Sequence, residues 1–144
     1  LKKQLPKFIT SFPINKKEIV SAILKNKINL KKIIKIIHSE IRKELNIFLR
    51  KNKKKKIIIL DIPLLLENKI NKKGDILIFV QAKKKDINRR LKKRTNFNHD
   101  LVKRFKKIQL PLDYKKKKSR FVIKNNFTNK SIKKDIKYIL KKIL

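Results

Sequence analysis

The sequence contains no cysteine and a single glycine, Gly74, among its 144 residues. Without cysteine, the chain can form neither a disulfide framework nor a thiolate metal site, and its two histidines are too few for a histidine-rich site. A reducing, cytoplasmic setting is therefore expected. One glycine also excludes a glycine-rich phosphate-binding loop, because several positions of such a loop must let backbone amides approach a phosphate closely.

Long hydrophobic runs are also lacking. The longest, residues 57–60 and 62–66, are separated only by Asp61 and fall far short of the roughly 20 residues of a membrane span. The residues that follow Leu1 lack the apolar core and cleavage site of a signal peptide. We therefore expect no membrane partner, and we expect the chain to have been cut from a longer one.

Acidic residues are scarce, since ten Asp and Glu stand against 45 Lys and Arg, for a formal net charge of +35. Such a charge is typical of proteins that bind nucleic acid or anionic lipid. However, Lys, Ile and Asn, which have AT-rich codons, make up more than half of the chain. Arg, the better reader of phosphates and bases, numbers seven against 38 Lys. Codon bias thus explains the charge, and nucleic-acid binding is kept only as an alternative.

What the sequence does contain is an alternation of two hydrophobic patterns. Apolar residues at helical spacing predict helices in residues 16–50, two more in 86–118, and a last one in 130–144. Continuous apolar runs predict strands buried on both faces at residues 57–60, 76–80 and, more weakly, 121–123. Strands that alternate with helices predict an α/β layered fold, with one domain as the first expectation and room for a small second lobe.

Asp61 ends the first predicted strand, and Pro63 turns the chain directly afterwards. Ligands of open α/β sheets bind at the carboxyl ends of the strands. Asp61 therefore stands where a Walker B type aspartate would hold magnesium. The alternative is that Asp61 caps the following turn or helix, and the residue pattern alone leaves both interpretations open.

Four of the seven arginines lie in residues 86–118, the predicted helical insertion between the second and third strands, at Arg89, Arg90, Arg94 and Arg104. Arg90 and Arg94 are four residues apart, so a helix would place them on one face. Planar guanidinium groups on a mobile helical flap suit the clamping of phosphates. The alternative is a solvated basic face. His38, on a predicted helix, fits a packed side chain as well as a ligand.

These residues, in this order, resemble the dephospho-coenzyme A kinase family over roughly residues 33 to 140. The resemblance is carried by Ile37-His38, by Ile59-Leu60-Asp61-Ile62-Pro63-Leu64-Leu65-Leu66-Glu67, by Arg90-Leu91 with Arg94, by Ile108-Gln109-Leu110-Pro111-Leu112, and by Val122-Ile123-Lys124-Asn125.

The resemblance implies transfer of the γ-phosphate of ATP to the 3′-hydroxyl of dephospho-coenzyme A, the last step of coenzyme A synthesis, with Mg²⁺. It implies a P-loop NTPase-like three-layer α/β fold with a parallel sheet and a helical lid. The implied regions are a helical acceptor-side, coenzyme A-binding region (1–56), parts of the nucleotide kinase core (57–85 and 119–144) and the lid (86–118).

The resemblance also implies roles for single residues. Asp61 would lie on the metal and phosphate side, Arg90 and Arg94 would close over phosphate, and Asn125 would lie near the adenine of ATP. The residues implied on the side of the acceptor substrate are His38, Pro63, Leu64 and Glu67.

The chain departs from the family pattern at several positions. Ser39 stands where a proline follows the histidine, Phe105 stands where an arginine is common, with Arg104 displaced by one position, and Lys124 replaces an aspartate. No Gly-x-x-x-x-Gly-Lys-Ser/Thr motif occurs, and the early catalytic aspartate of the family is also missing. We expect both upstream of Leu1.

Without that segment, the sheet would lack its central P-loop strand. We therefore expect the isolated chain to be inactive, and to be poorly folded or aggregated through unpaired strand edges. The alternatives to the kinase are a non-catalytic binding module and another nucleotide kinase of the same fold.

Overall fold

A computed structural model describes residues 1–144, apart from the side chain of Ser131. After a short 3-10 turn, Lys2–Gln4, the chain forms α1 (Lys16–Lys25), α2 (Lys27–Lys51), β1 (Ile78–Gln81), α3 (Lys84–Lys92), α4 (His99–Ile108), α5 (Leu112–Lys118), β2 (Phe121–Lys124) and α6 (Asn129–Ile143). It divides into two compact units, which are described separately: Leu1–Ile70 with His99–Ile108, and Asn71–Asn98 with Gln109–Leu144.

The helical pattern of residues 16–50 forms two helices that are separated at Asn26. The backbone of Asn26 is extended, its side chain accepts a hydrogen bond from the Ile28 N–H at 2.9 Å, and it thus caps the start of α2. Asn15 caps α1 in the same way, by accepting from the Lys17 N–H at 2.9 Å.

The core of the first unit lies between the N-terminal segment and helices α1, α2 and α4. Its buried residues are Leu5, Ile9, Ala22, Ile23, Leu30 and Ile33. Helix α4 packs on them with Leu101, Phe105 and Ile108. Arg104 ties α4 to the end of α1, because its Nη2 donates to the Leu24 carbonyl oxygen at 2.7 Å. Part of the segment 86–118 therefore completes the core of the first unit.

The second unit is built on a parallel pair of strands. Ile78 of β1 lies opposite Phe121 of β2, and the register continues to Gln81 opposite Lys124. Helix α6 covers β2, with the ring of Tyr138 edge-on to that of Phe121 at 6.5 Å. This confirms the predicted α/β fold with a parallel sheet.

The prediction of a strand at residues 57–60, the first of the three predicted, is wrong. This segment forms no ladder with another part of the described chain, and Ile59 is 85% exposed. A strand exists only where a neighbouring backbone accepts and donates its hydrogen bonds, and the described residues place no strand beside this one. Its apolar sequence is therefore exposed instead of buried on two faces.

Residues 86–118 also differ in detail from the prediction, since they contain the main part of α3, the whole of α4 and the whole of α5. The break before α5 falls at Leu110-Pro111, where proline disfavours a helical conformation of the residue before it. Within the described part of the chain, no helix combines the length and the apolar character that crossing a membrane requires.

Candidate functional site

An open groove of about 820 Å³ lies in the first unit, between α2 and the extended residues 57–62. Most of its lining is aliphatic or aromatic and includes Ile37, Ile41, Leu45, Phe48, Ile59 and Leu60. Its polar lining consists of the carboxylate residues Glu40, Glu44 and Asp61. In a chain with a net charge of +35, this groove therefore combines an apolar wall with acidic groups.

Asp61 lies in this groove as an exposed side chain. Among the described residues, no N–H of the following turn donates to the Asp61 carboxylate, so the capping alternative finds no support there. Its carboxylate is free for a ligand instead. The described His, Asp and Glu residues form no cluster of three that could hold a metal ion. Mg²⁺ is commonly held by one or two carboxylates plus water and substrate phosphates, so Asp61 fits such an ion as a single ligand.

The turn that contains Pro63, Leu64 and Glu67 is fixed to α2. The Leu64 carbonyl oxygen accepts from the Asn68 N–H at 3.1 Å and from Asn68 Nδ2 at 2.7 Å. Arg42 of α2 then donates from Nη2 to the Asn68 carbonyl oxygen at 2.8 Å. Arg42 thus positions this turn. The sequence offers no signal for this contact, because the two residues are 26 positions apart.

His38 is half-buried on α2. The lining of the groove includes its neighbours Ile36 and Ile37 but not His38 itself. Within the first unit, the structure therefore brings Asp61 to the groove and leaves His38 outside it.

In the second unit, Asn125 lies at the carboxyl end of β2, beside the end of β1. Its N–H donates to the Gln81 carbonyl oxygen at 2.7 Å, so it continues the pairing of the two strands. Its Oδ1 accepts from the Phe127 N–H at 2.7 Å. Asn125 thus stands at the edge of the sheet where ligands of α/β proteins bind, and its carboxamide oxygen fixes the following turn.

Arg90 and Arg94 do not share a helix face, and that prediction is wrong. Helix α3 ends at Lys92, and the Arg94 N–H donates to the Leu91 carbonyl oxygen at 3.1 Å, as in a tighter, non-helical turn. Thr95 and Asn96 follow, and both have low helix propensity. Arg90 remains on α3, with its guanidinium carbon 4.6 Å from the centre of the Phe127 ring.

Glu18 is the residue whose acidity the structure changes most clearly. Hydrogen bonds from the side chains of Ser11 and Thr10, both at 2.7 Å, lower the pKa of Glu18 from 4.5 to about 2. Backbone N–H groups of the same two residues add to the effect. Glu18 lies in the first turn of α1 and fastens the N-terminal segment to that helix.

A parallel pair of strands covered by a helix, in a chain that alternates helices and strands, defines the class of α/β proteins. The family model described as "CoaE: Dephospho-CoA kinase" matches residues 10–131. The chain belongs to this family, which confirms the resemblance seen in its motifs.

Three relatives illustrate the match. The chain is 32% identical to the dephospho-CoA kinase of Wolbachia pipientis wMel, over 78% of this chain and 58% of that protein. It is 29% identical to that of Wolbachia sp. subsp. Brugia malayi (strain TRS), over 96% and 71%. It is 34% identical to that of Fusobacterium nucleatum subsp. nucleatum, over 78% and 58%. The chain thus spans about three fifths to seven tenths of the length of these relatives.

Proposed function

We propose that this protein serves an ATP-dependent kinase reaction, in which the γ-phosphate of ATP passes to the 3′-hydroxyl of dephospho-coenzyme A in the last step of coenzyme A synthesis. The observation that carries the proposal is the family match over residues 10–131. The acceptor is a small molecule, and Mg²⁺ accompanies the nucleotide. We place the protein in the cytoplasm, in keeping with a chain that has no thiol to oxidise.

The second unit contributes positive charge at the edge of its sheet. Arg90 and Arg94 are both exposed, and each offers a planar guanidinium group with several N–H donors. Phosphoryl transfer spreads negative charge over several oxygens, and fixed donors that face this charge lower the barrier. In this proposal the two arginines bind phosphate, and the loop of Asn125 lies beside the adenine.

In this proposal, the first unit binds dephospho-coenzyme A, the acceptor of the phosphate. The apolar wall of the groove fits the aliphatic part of dephospho-coenzyme A. Pro63, Leu64 and Glu67 belong to the turn that follows Asp61, and Arg42 fixes this turn to α2. The carboxylates of the groove repel phosphate unless a cation lies between them. This charge pattern supports Asp61 as the residue that would hold Mg²⁺, while His38, outside the groove, has the weaker case for a contact with substrate.

The test is an assay of phosphate transfer from γ-labelled ATP to dephospho-coenzyme A, with nucleoside monophosphates as competing acceptors. Because the chain contains one glycine and no phosphate-binding loop motif, two proteins are assayed. One is the 144-residue chain, and the other is this chain joined to the segment of the Wolbachia pipientis wMel relative that it does not match. We expect transfer to dephospho-coenzyme A by the joined protein.

In the joined protein, we expect Asp61→Asn and Arg90→Ala each to lower kcat by about 10²-fold or more, the size typical of losing one group that stabilises transition-state charge. Arg89→Ala is the matched control, because it removes the same charge from α3 while Arg89 is paired with Asp86 at 2.9 Å. It should leave kcat within about twofold, as expected for an exposed ion pair.

Three results would replace the proposal. Preferred phosphorylation of a nucleoside monophosphate would identify another nucleotide kinase of the same fold. Tight binding of dephospho-coenzyme A with no transfer by either protein would identify a non-catalytic binding module. Affinity for a defined DNA sequence that persists at high salt would favour the nucleic-acid alternative, since non-specific attraction to a chain of +35 falls steeply with salt.

A further inference from the structure

Phe127 has a backbone conformation that does not suit its side chain. Its φ is 63°, in the left-handed region that favours glycine and is unfavourable for a bulky residue. Side chains on both sides hold this conformation. Asn125 Oδ1 accepts from the Phe127 N–H at 2.7 Å, and Asn126 Oδ1 accepts from the Thr128 N–H at 3.0 Å and from its hydroxyl at 2.7 Å. These hydrogen bonds therefore hold Phe127 in a backbone conformation in which glycine would be less strained.

Burial of the ring does not explain this strain. Phe127 is 38% exposed and is not among the buried core residues. What its ring does contact is the guanidinium group of Arg90, whose central carbon lies 4.6 Å from the ring centre. Because the strain is not explained by burial in the core, we look for its reason in the contact that the side chain makes.

The N–H donors of Arg90 make no hydrogen bond or ion pair among the described residues, so they are available to a second partner. A guanidinium group that stacks on a ring uses its flat face, whereas its N–H donors point outward in the plane. Those donors suit a phosphate, which binds arginine edge-on and often through two hydrogen bonds. The ring can thus hold Arg90 without competing for the donors that a phosphate needs.

The two partners also leave the sheet at the same edge. Arg90 lies on α3, which follows the carboxyl end of β1, and Phe127 lies in the loop that follows the carboxyl end of β2. The neighbouring arginines are different: Arg89 is paired with Asp86, and Arg94 lies beyond the end of α3. Arg90 is thus the arginine in this segment that a ring holds in place.

We propose that Phe127 is a positioning residue, which presents Arg90 to the phosphate groups of the nucleotide, and that Asn125 acts by holding Phe127 in place. This inference rests on the proposed function and deepens it, since it assigns a role to a residue outside the family motifs. Loss of the ring should free the Arg90 side chain and weaken phosphate binding by about two- to fivefold, the size of an exposed cation–π contact.

The test uses the joined protein of the transfer assay, because the 144-residue chain alone contains no phosphate-binding loop motif and is expected to self-associate. ATP is the probe and adenosine is the phosphate-free control. Side-chain NMR follows the Nε–H signal of Arg90, which the Phe127 ring should displace from its usual position. We expect this displacement in the wild type and in Phe127→Tyr, which keeps the ring, and its loss in Phe127→Leu. ATP should bind Phe127→Leu about two- to fivefold more weakly than the wild type.

Two further variants separate positioning from stability. Phe127→Gly relieves the left-handed strain, so its melting temperature should not fall although ATP binds more weakly; a purely structural ring would lower both together. Adding Phe127→Leu to Arg90→Ala should weaken ATP binding no further than Arg90→Ala alone, because the ring acts through that arginine. Arg89→Ala corrects for the general attraction of ATP to a basic chain.

Unchanged ATP affinity in Phe127→Leu, or an undisplaced Arg90 signal in the wild type, would overturn the inference while leaving the kinase proposal intact. A wild-type chain whose ATP binding is equal to that of Arg90→Ala would overturn the role of Arg90, and the role of Phe127 with it. The transfer assay of the joined protein then shows separately whether the kinase proposal also fails.

Discussion

Among single residues, Glu18 makes the stability of the first unit depend on pH. Its pKa is lowered to about 2 in the folded chain, chiefly by the Ser11 and Thr10 hydroxyls, against 4.5 for an unconstrained glutamate. The stabilisation is therefore complete well above pH 4.5 and is lost as the pH falls toward 2. We expect the free energy of unfolding, measured with urea, to fall across this interval.

Glu18→Gln is the variant that checks this prediction. It keeps the shape of the side chain but removes the titrating group, so the fall in stability between pH 4.5 and 2 should become shallower. Glu44→Gln, at an exposed glutamate of α2, is the control, because it removes a carboxylate without touching the contact of Glu18 with Ser11 and Thr10. Parallel pH profiles of the wild type and Glu18→Gln would contradict the assignment.

Arg42 is the residue that fixes the turn after Asp61. Arg42→Met removes the 2.8 Å hydrogen bond to the Asn68 carbonyl oxygen and should destabilise the turn by about 1 kcal/mol. Amide exchange of Ile70, whose N–H donates to the Leu65 carbonyl oxygen, should become faster. Lys43→Met is the matched control, because Lys43 makes only an exposed pair with Glu40. Equal exchange in both variants would refute the role of Arg42.

How far single residues could be predicted depends on the sequence distance of their partners. The cap at Asn15 bonds two residues away, and a local contact of this kind can be recognised from an asparagine directly before a helical pattern. The contact from Arg42 joins positions 26 apart, which no local pattern encodes. The loop of Phe127 is predictable in part. Asn125 and Asn126 indicate a turn, but the sequence does not show that the Phe127 ring contacts Arg90.

At the scale of elements, Asn26 decides where α1 ends and α2 begins. Its side chain accepts from the Ile28 N–H, and its own N–H donates to the Ala22 carbonyl oxygen. Asn26→Ala should lower the free energy of unfolding by about 1 kcal/mol, the usual cost of losing a helix cap. Urea denaturation measures this loss.

The control for that experiment is Asn46→Ala in the exposed middle of α2. Alanine favours a helix interior, so this change should be neutral or raise stability by a few tenths of a kcal/mol. A loss of equal size in both variants would show that asparagine at position 26 has no special part in the junction.

The elements that the sequence predicts best are those whose partners lie within the chain. The strands at residues 76–80 and 121–123 and the last helix all form, with ends shifted by one or two residues, because β1 and β2 pair with each other and α6 covers β2. Residues 57–60 carry an equally strong strand pattern and form none. The hydrophobic pattern shows that a segment can form a strand. The strand forms only when another strand lies beside it and completes its backbone hydrogen bonds.

For the whole molecule, the exposed apolar surface of its strands favours self-association. Val80 of β1 is 56% exposed, and β1 pairs with β2 alone among the described strands. An open edge of this kind adds strands from other molecules, and charged side chains oppose such addition. We expect the 144-residue chain to self-associate, and Val80→Lys to reduce light scattering at equal protein concentration.

Ser21→Lys is the control for Val80→Lys, because it adds the same charge at an exposed position of α1 without altering the sheet. If the two variants reduce scattering equally, greater net charge and not the strand edge would be responsible.

The position of α4 in the chain has a consequence for dissecting the gene. Helix α4 completes the core of the first unit with Leu101, Phe105 and Ile108, yet it is encoded between two stretches of the second unit. A reading frame that stops after Ile70 lacks α4, so the core of the first unit is not covered. One that starts at Asn71 contains α4 without the core on which it packs. A single recombination crossover therefore cannot exchange either unit intact. The gene segments that encode the two units must be inherited together.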